Sequence, residues 1–142
     1  MMISSRGRYA LRIMIDLAEH QDSGYITLHD IAARQNISEK YLESIVSILS
    51  KAHFVKGVRG KGGGYALSRD PETYTVGSIL QLTEISLSPV SCLDCKPNTC
   101  ERASECKTLP IWQKLDDIIR EYLESVTICD LIGENCDKGS VI

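Results

Sequence analysis

Four of the six cysteines in this 142-residue chain, Cys92, Cys95, Cys100 and Cys106, crowd into one stretch, SCLDCKPNTCERASECKTLP, over residues 91–110. Thiolates spaced this closely converge on one small inorganic core with little loop entropy to lose, which suits an iron–sulfur cluster. The same sulfurs, two of them in a C-x2-C knuckle, also suit a tetrahedral zinc site. A third chemistry needs no metal, because pairs of these thiols can close and open as a disulfide. In a reducing cytosol such clustering speaks for metal binding or redox chemistry over a structural disulfide framework. Cys129, among apolar residues near the C-terminus, reads as a small buried hydrophobe, and the spacing of Cys136 suggests no role. His20, His29 and His53 all precede the cysteines by a wide margin and read as surface or packing residues rather than ligands.

The elements around this stretch follow from periodicity and caps. A helix is expected over residues 6–19, where Ala10, Leu11, Met14, Ile15, Leu17 and Ala18 form one wide apolar face and Ser4 or Ser5 can cap. Arg6, Arg8 and Tyr9 near its start are placed for phosphate contact. Thr27 stands three residues before Asp30, a capping-box-like start for a short helix near Leu28. Asn36 ends it and Ser38 opens a third helix, whose Tyr41, Leu42, Ile45, Val46, Ile48 and Leu49 are spaced for burial. Two short helices joined by a tight turn make a helix-turn-helix. Outside the apolar set the third helix carries Ser38, Glu39, Lys40, Glu43, Ser44 and Ser47, small or polar groups able to reach base edges in a major groove.

Two β-prone runs, residues 54–58 and 65–67, then flank a basic glycine-rich tip with Arg59 and Lys61. Directly after a recognition helix, such a hairpin is a wing that enters a minor groove or touches phosphates. The tip has neither the Gly-Lys-Ser/Thr ending nor the following helix of a phosphate loop, so nucleotide binding is not expected. An amphipathic helix over residues 75–85 precedes the cysteines, and Thr108 with Pro110 marks the start of a long helix after them. That helix sets Ile111, Leu115, Ile118, Ile119, Tyr122 and Leu123 along one stripe and Lys114, Asp116, Asp117, Arg120, Glu121 and Glu124 on its other side. So narrow a domain gives the stripe little to cover, and packing on a symmetry mate in a twofold dimer is its expected use. Thr127 begins a last short helix to Ile132, and the tail from Gly133 is expected to be mobile.

The expected fold class is therefore mainly α with a small β-hairpin wing, a winged helix-turn-helix domain plus a long dimerisation helix. We divide it into a DNA-binding domain over residues 1–86, a cysteine-rich loop over 87–109, and the dimerisation helix with the C-terminal tail over 110–142. Residues 1–70 hold ten Lys+Arg against seven Asp+Glu, net +3, whereas residues 71–142 hold six against twelve, net -6. A basic front half fits a chain that offers one end to a polyanion and keeps the other away. Arg12 and Asp16 interrupt the first apolar run and no membrane-length segment follows, so a cytoplasmic protein without a membrane role is expected. No Ser-His-Asp set, paired carboxylates or nucleotide motif presents itself, which argues against an enzyme and against a small-molecule substrate.

Three segments, SRGRYALRIMIDLA at the N-terminus, ISEKYLESI in the third helix and VRGKGGGYALSRD in the wing, resemble the IscR, NsrR, RirA and CymR family of bacterial winged-helix regulators. The likeness covers nearly the whole chain, and it implies a homodimeric transcription factor on palindromic double-stranded promoter DNA. It favours iron over zinc, with a cluster, expected as [2Fe-2S], in which Cys100 and Cys106 take the places of the last two family cysteines and Cys92 or Cys95 that of the first. Either both Cys92 and Cys95 contribute, or one does and a carboxylate or a residue of the partner subunit supplies the fourth bond. Zinc or no metal is the alternative, and members resembling CymR lack the cysteine set and sense cysteine metabolism through a partner enzyme. The candidate DNA contacts are Arg6, Tyr9, Leu28, Ser38, Lys40, Tyr41, Glu43, Ser44, Arg59 and Lys61. The chain departs from the IscR pattern, C-x5-C-x5-C with a His three residues later. Its spacing is C-x2-C-x4-C-x5-C, and Leu109 stands where the imidazole is expected. The IscR subgroup has an acid at the place of Glu43, a group that accepts from cytosine N4. Ordering the loop around a metal is expected to bias the two recognition helices, and so to change how Glu43 is presented.

Overall fold

The computed structural model describes residues 2–94, 104–133 and 136. Helix α1 (Ser5–Glu19) is capped by Ser4, whose hydroxyl accepts from the Gly7 N–H. Its apolar face buries Ala10, Ile13, Met14 and Leu17 at 0–2% exposure, the centre of the core. Helix α2 (Leu28–Gln35) starts on Thr27, which accepts from the Asp30 N–H, and stops at Asn36, held in the left-handed region at φ 54°. An Asn tolerates that conformation because its short polar side chain bonds locally. Helix α3 (Glu39–Lys51) is capped by Ser38 and turns Leu42, Ile45, Val46 and Leu49 inward. The Thr27, Asn36 and Ser38 signals thus act as expected from the sequence.

Asp16, on the inner face of α1, is 1% exposed yet charged. Arg34 grips it with two hydrogen bonds, at 3.0 and 2.7 Å, and Gln35 adds a third at 2.9 Å. Arg12 returns from α1 to bond both the side chain and the backbone carbonyl of Gln35. A buried carboxylate is tolerable only when paired and hydrogen-bonded in this way. The network fixes α2 against α1, and therefore the turn that aims α3.

Strands β1 (Val55–Val58) and β2 (Gly64–Leu67) form an antiparallel hairpin with Val55 opposite Leu67 and Val58 opposite Gly64. Ile26 adds a bridge to Tyr65, so the segment ahead of α2 extends the hairpin on its other edge. Gly64 sits at φ 142°, and a Cβ there would run into the backbone of Ile26. Only glycine lets the third segment approach. At the base of the wing the buried Tyr74 hydroxyl donates to the Phe54 carbonyl at 2.7 Å and accepts from the Ser68 and Arg69 N–H groups.

Helix α4 (Val76–Thr83) is shorter than its periodicity predicts: it ends at Thr83, and Ile85 beyond it is fully exposed. Its start pairs with the connection between α5 (Leu109–Ser125) and α6 (Ile128–Ile132), through Thr75 opposite Thr127 and the Val76 N–H on the Val126 carbonyl. Helix α6 packs on α1. The long helix α5 departs from expectation in one respect. Asp116, assigned by periodicity to the charged outer side, is its one buried residue. It pairs with Arg120 at 2.9 Å, and Arg120 also donates to Ser88. Leu123 packs with Val76, Leu80 and Leu87, whereas Ile111, Leu115, Ile118 and Tyr122 stand 38–66% exposed on the far side. Helix-turn-helix and hairpin together make a winged helix-turn-helix fold, followed by a long helix with an uncovered apolar stripe.

Candidate nucleic-acid interface and cysteine segment

The start of α3 is exposed at Ser38, Lys40, Glu43 and Ser44. Tyr41 is half-buried and meets Tyr9 edge to face, ring centroids 5.6 Å apart, which ties the start of α1 to the side of α3. Leu28, the first residue of α2, packs half-buried against the core. Arg6 is exposed in the first turn of α1, and Arg59 and Lys61 are exposed on the wing tip. The expected contact residues therefore occupy the beginnings of three helices and the hairpin tip. Ser44 already spends its hydroxyl proton on the Tyr41 carbonyl at 2.6 Å, leaving its lone pairs outward.

His29 and Glu39, from the first turns of α2 and α3, pair at 2.8 Å. The hydrogen bond to Glu39 raises the imidazole above its ordinary pKa, with the charges of Glu39 and Asp30 adding to it. A raised value means the pairing is fully present below about pH 6.5 and fades as pH climbs through the folded-state value. An NMR titration of His29 should therefore give a midpoint above that of a free imidazole, lowered in Glu39→Gln, which removes the larger causes and leaves Asp30. An unshifted midpoint in the parent protein would remove the pair.

Sequence reasoning missed the residue that ties this face to the cysteine segment. Glu84, just past α4, accepts from both the N–H and the hydroxyl of Ser4, each at 2.6 Å. Burial pushes this carboxyl up, but the bonds from Ser4 and Thr83 and the nearby Arg6 charge outweigh it and hold it below the usual glutamate range. The link is thus present at neutral pH and is lost as acid protonates Glu84 below that lowered value. Gly7 makes room for it, since a Cβ there would lie 2.7 Å from Glu84 Oε2. Arg6 and Tyr41 share an open groove of about 480 Å³ with Thr83, Glu84, Ile85 and Ser86, the chain that leads to the cysteines. A glycine among the first residues of an otherwise well-formed helical pattern is the available signal, because it weakens the helix unless something needs the space.

The start of the cysteine segment is anchored. Ser86 donates to Asp94 at 2.5 Å, Ser88 is held by Arg120, and a 3-10 turn over Ser91–Leu93 carries Cys92 half-buried with a free thiol. At the far end Cys106 is half-buried, its sulfur 3.4 Å from the Thr108 hydroxyl, and Leu109 opens α5. Cys95 and Cys100 lie outside the described residues, as does most of the C-terminal tail. Among the described residues no three His, Cys, Asp or Glu side chains gather as a metal-binding group. The donor chemistry nonetheless fits a thiolate-held centre, with the half-buried Cys92 and Cys106 at the two ends of the segment. The end of α5 that meets it is the positive end of the helix dipole, with no acid in its first turn, which favours anionic sulfur there. Cys129 and Cys136 differ from their sequence reading: they are joined to each other as a disulfide.

The fold and exposed basic tip define a winged-helix DNA-binding regulator, and comparison with known proteins gives its kin. The family model Rrf2, described as an iron-dependent transcriptional regulator, matches residues 3–134. The HTH-type transcriptional regulator IscR of Vibrio vulnificus is 36% identical over 135 residues, 95% of this chain and 79% of that protein. Among solved structures, CymR of B. subtilis, the global cysteine regulator, superposes with a TM-score of 0.78 at 39% identity, covering 93% of this chain and 96% of that one. T. potens IscR gives 0.74 at 36% identity, covering 93% and 86%. The chain belongs to the Rrf2 family of transcriptional regulators and is not an enzyme. None of its described helices is long and apolar enough to cross a membrane.

Proposed function

We propose that this Rrf2-family regulator is a cytoplasmic homodimer that binds palindromic promoter DNA and senses iron–sulfur status through a [2Fe-2S] cluster held by Cys92, Cys95, Cys100 and Cys106. The genes it controls are then those that supply such clusters. The observation that carries this reading is the position of the cysteine segment. It runs from the Glu84–Ser4 link on the DNA-facing side to the start of α5. What orders the segment thus bears on both the reader and the dimer helix. When bound, the cluster supplies a thiolate-stabilised redox centre that can be lost or altered. The chain's own residues do the rest. Ser38, Lys40, Tyr41, Glu43 and Ser44 meet base edges, while Arg6, Tyr9, Arg59 and Lys61, with the backbone N–H of Leu28 at the start of α2, hold the DNA backbone. Ile111, Leu115, Ile118 and Tyr122 recur at the 4-3-4 spacing of a two-helix seam and pack on their copies in the partner. We divide the chain accordingly into a reader over residues 1–86, a sensing loop over 87–109 and a dimer arm over 110–142.

A second reading, a zinc-bound or metal-free thiol regulator, has the likeness to CymR in its favour. Promoter selection from random DNA separates the two. Loaded and stripped protein should enrich different sites, and Glu43→Ala should shrink that difference about tenfold by removing an acceptor that discriminates cytosine. Identical site selection by both forms of the parent protein would contradict the proposal.

A further inference from the structure

The chain beyond α5 carries a pair of sulfurs that neither the reader face nor the cysteine segment uses. Cys129 lies on α6, Cys136 follows seven residues later, and their Cα atoms are 5.1 Å apart. Both belong to the main core, at 7% and 8% exposure, beside Ile128 and Ile132. A turn at Gly133, φ 62°, brings the chain back, and the Cys136 N–H closes it on the Gly133 carbonyl at 2.9 Å. Helix α6 in turn rests on α1, which bears Arg6 and Tyr9, and its first N–H donates to the Tyr74 carbonyl at the base of the wing.

We infer that Cys129 and Cys136 form a thiol–disulfide exchange site, with a low-molecular-weight disulfide as oxidant, whose closure fastens the chain at Cys136 onto α6. One protein thiolate attacks a sulfur of the small disulfide, forming a mixed disulfide and releasing one small thiol. The second protein thiolate then attacks the protein sulfur of that mixed disulfide and releases the other small thiol. Two electrons pass from the protein sulfurs to the small disulfide, and the two protein thiol protons end on the released thiols. The short separation keeps the second thiol at high local concentration, so the mixed disulfide resolves within the chain. Burial of both sulfurs requires the Gly133 turn to open before exchange, so this pair reacts more slowly than the half-buried Cys92.

The test uses the full chain equilibrated in mixtures of reduced and oxidised glutathione, then alkylated after denaturation and digested with trypsin. Cys129 and Cys136 fall together in the peptide 121–138, which holds no other cysteine, so the loop cysteines cannot confuse the result. The closed form appears as an unalkylated peptide about two mass units lighter than the dithiol. Its fraction should follow the glutathione ratio, and opening should lower the melting temperature by about 5 °C. Cys136→Ser should melt like the open form in every mixture. A peptide alkylated even in the most oxidising mixture, one closed even in the most reducing, or either cysteine joined to a loop peptide would overturn the inference. Since the readout needs neither iron nor DNA, failure of the cluster reading leaves it untouched.

Discussion

Replacing Arg59 and Lys61 together by alanine should weaken promoter binding about 100-fold at roughly 0.1 M salt, almost equally for all sequences. Both side chains are exposed on the wing tip, and neither has an ion-pair partner among the described residues, so their charge is available to phosphates. Removing one phosphate-binding cation should reduce the slope of log affinity against log salt by about 0.9, and the proposed dimer would carry two such cations on each wing. The slope should therefore flatten by roughly 3.6, measured by fluorescence anisotropy across a salt series. The fold should survive, because the hairpin is set by the β1–β2 register, the Ile26–Tyr65 bridge and the Tyr74 hydroxyl, all away from the tip. An unchanged slope would take the wing off the DNA.

Glu84→Ala should uncouple the cysteine segment from the reader. Two hydrogen bonds of 2.6 Å to Ser4 disappear, one of them to the backbone at the start of α1. The direct cost to stability is about 1 kcal/mol, typical of removing a helix-end interaction on a partly exposed surface. The larger effect is on coupling. Loaded and stripped parent protein should differ about tenfold or more in affinity for a chosen promoter, within the usual range for linked sites, and in Glu84→Ala the ratio should fall toward one. Gly7→Ala should act in the same direction, because its methyl would press on Glu84 Oε2 and on Leu80, 3.0 Å away. If both variants keep the parent's ratio, the segment signals through another route.

How much of the fold and the site is legible in the sequence depends on how local each cause is. Caps at Thr27 and Ser38 and the stop at Asn36 act within one helical turn, so their residue types announce them. The stripe on α5 is legible because period alone defines it. The burial of Asp116 is not, since its carboxylate is paired with Arg120 one turn on, while Ser88, 32 residues before Arg120, accepts from that arginine. Glu84 and Ser4 are 80 residues apart, and no pattern in the chain relates them. Asp16 shows in the sequence only as an interruption of an apolar run. Its partners Arg34 and Gln35 lie on another helix, where they look like ordinary surface residues. Apolar character alone places Ile85 on α4, yet the helix ends two residues earlier and leaves it in solvent. Spacing does not pair Cys129 with Cys136, because Gly133, which folds one back onto the other, reads as the start of a loose tail. Within the candidate site, the exposure of Lys40, Glu43, Arg59 and Lys61 follows directly from amphipathic spacing and the glycine-rich tip.

Anaerobic purification decides whether the cysteine segment holds an iron–sulfur cluster. Visible absorption should be read together with iron, sulfide and zinc content on the same sample. A cluster-holding segment gives a coloured protein with near-equal iron and acid-labile sulfide, losing both in Cys100→Ala/Cys106→Ala. A colourless protein carrying stoichiometric zinc, or no metal at all, would contradict the cluster.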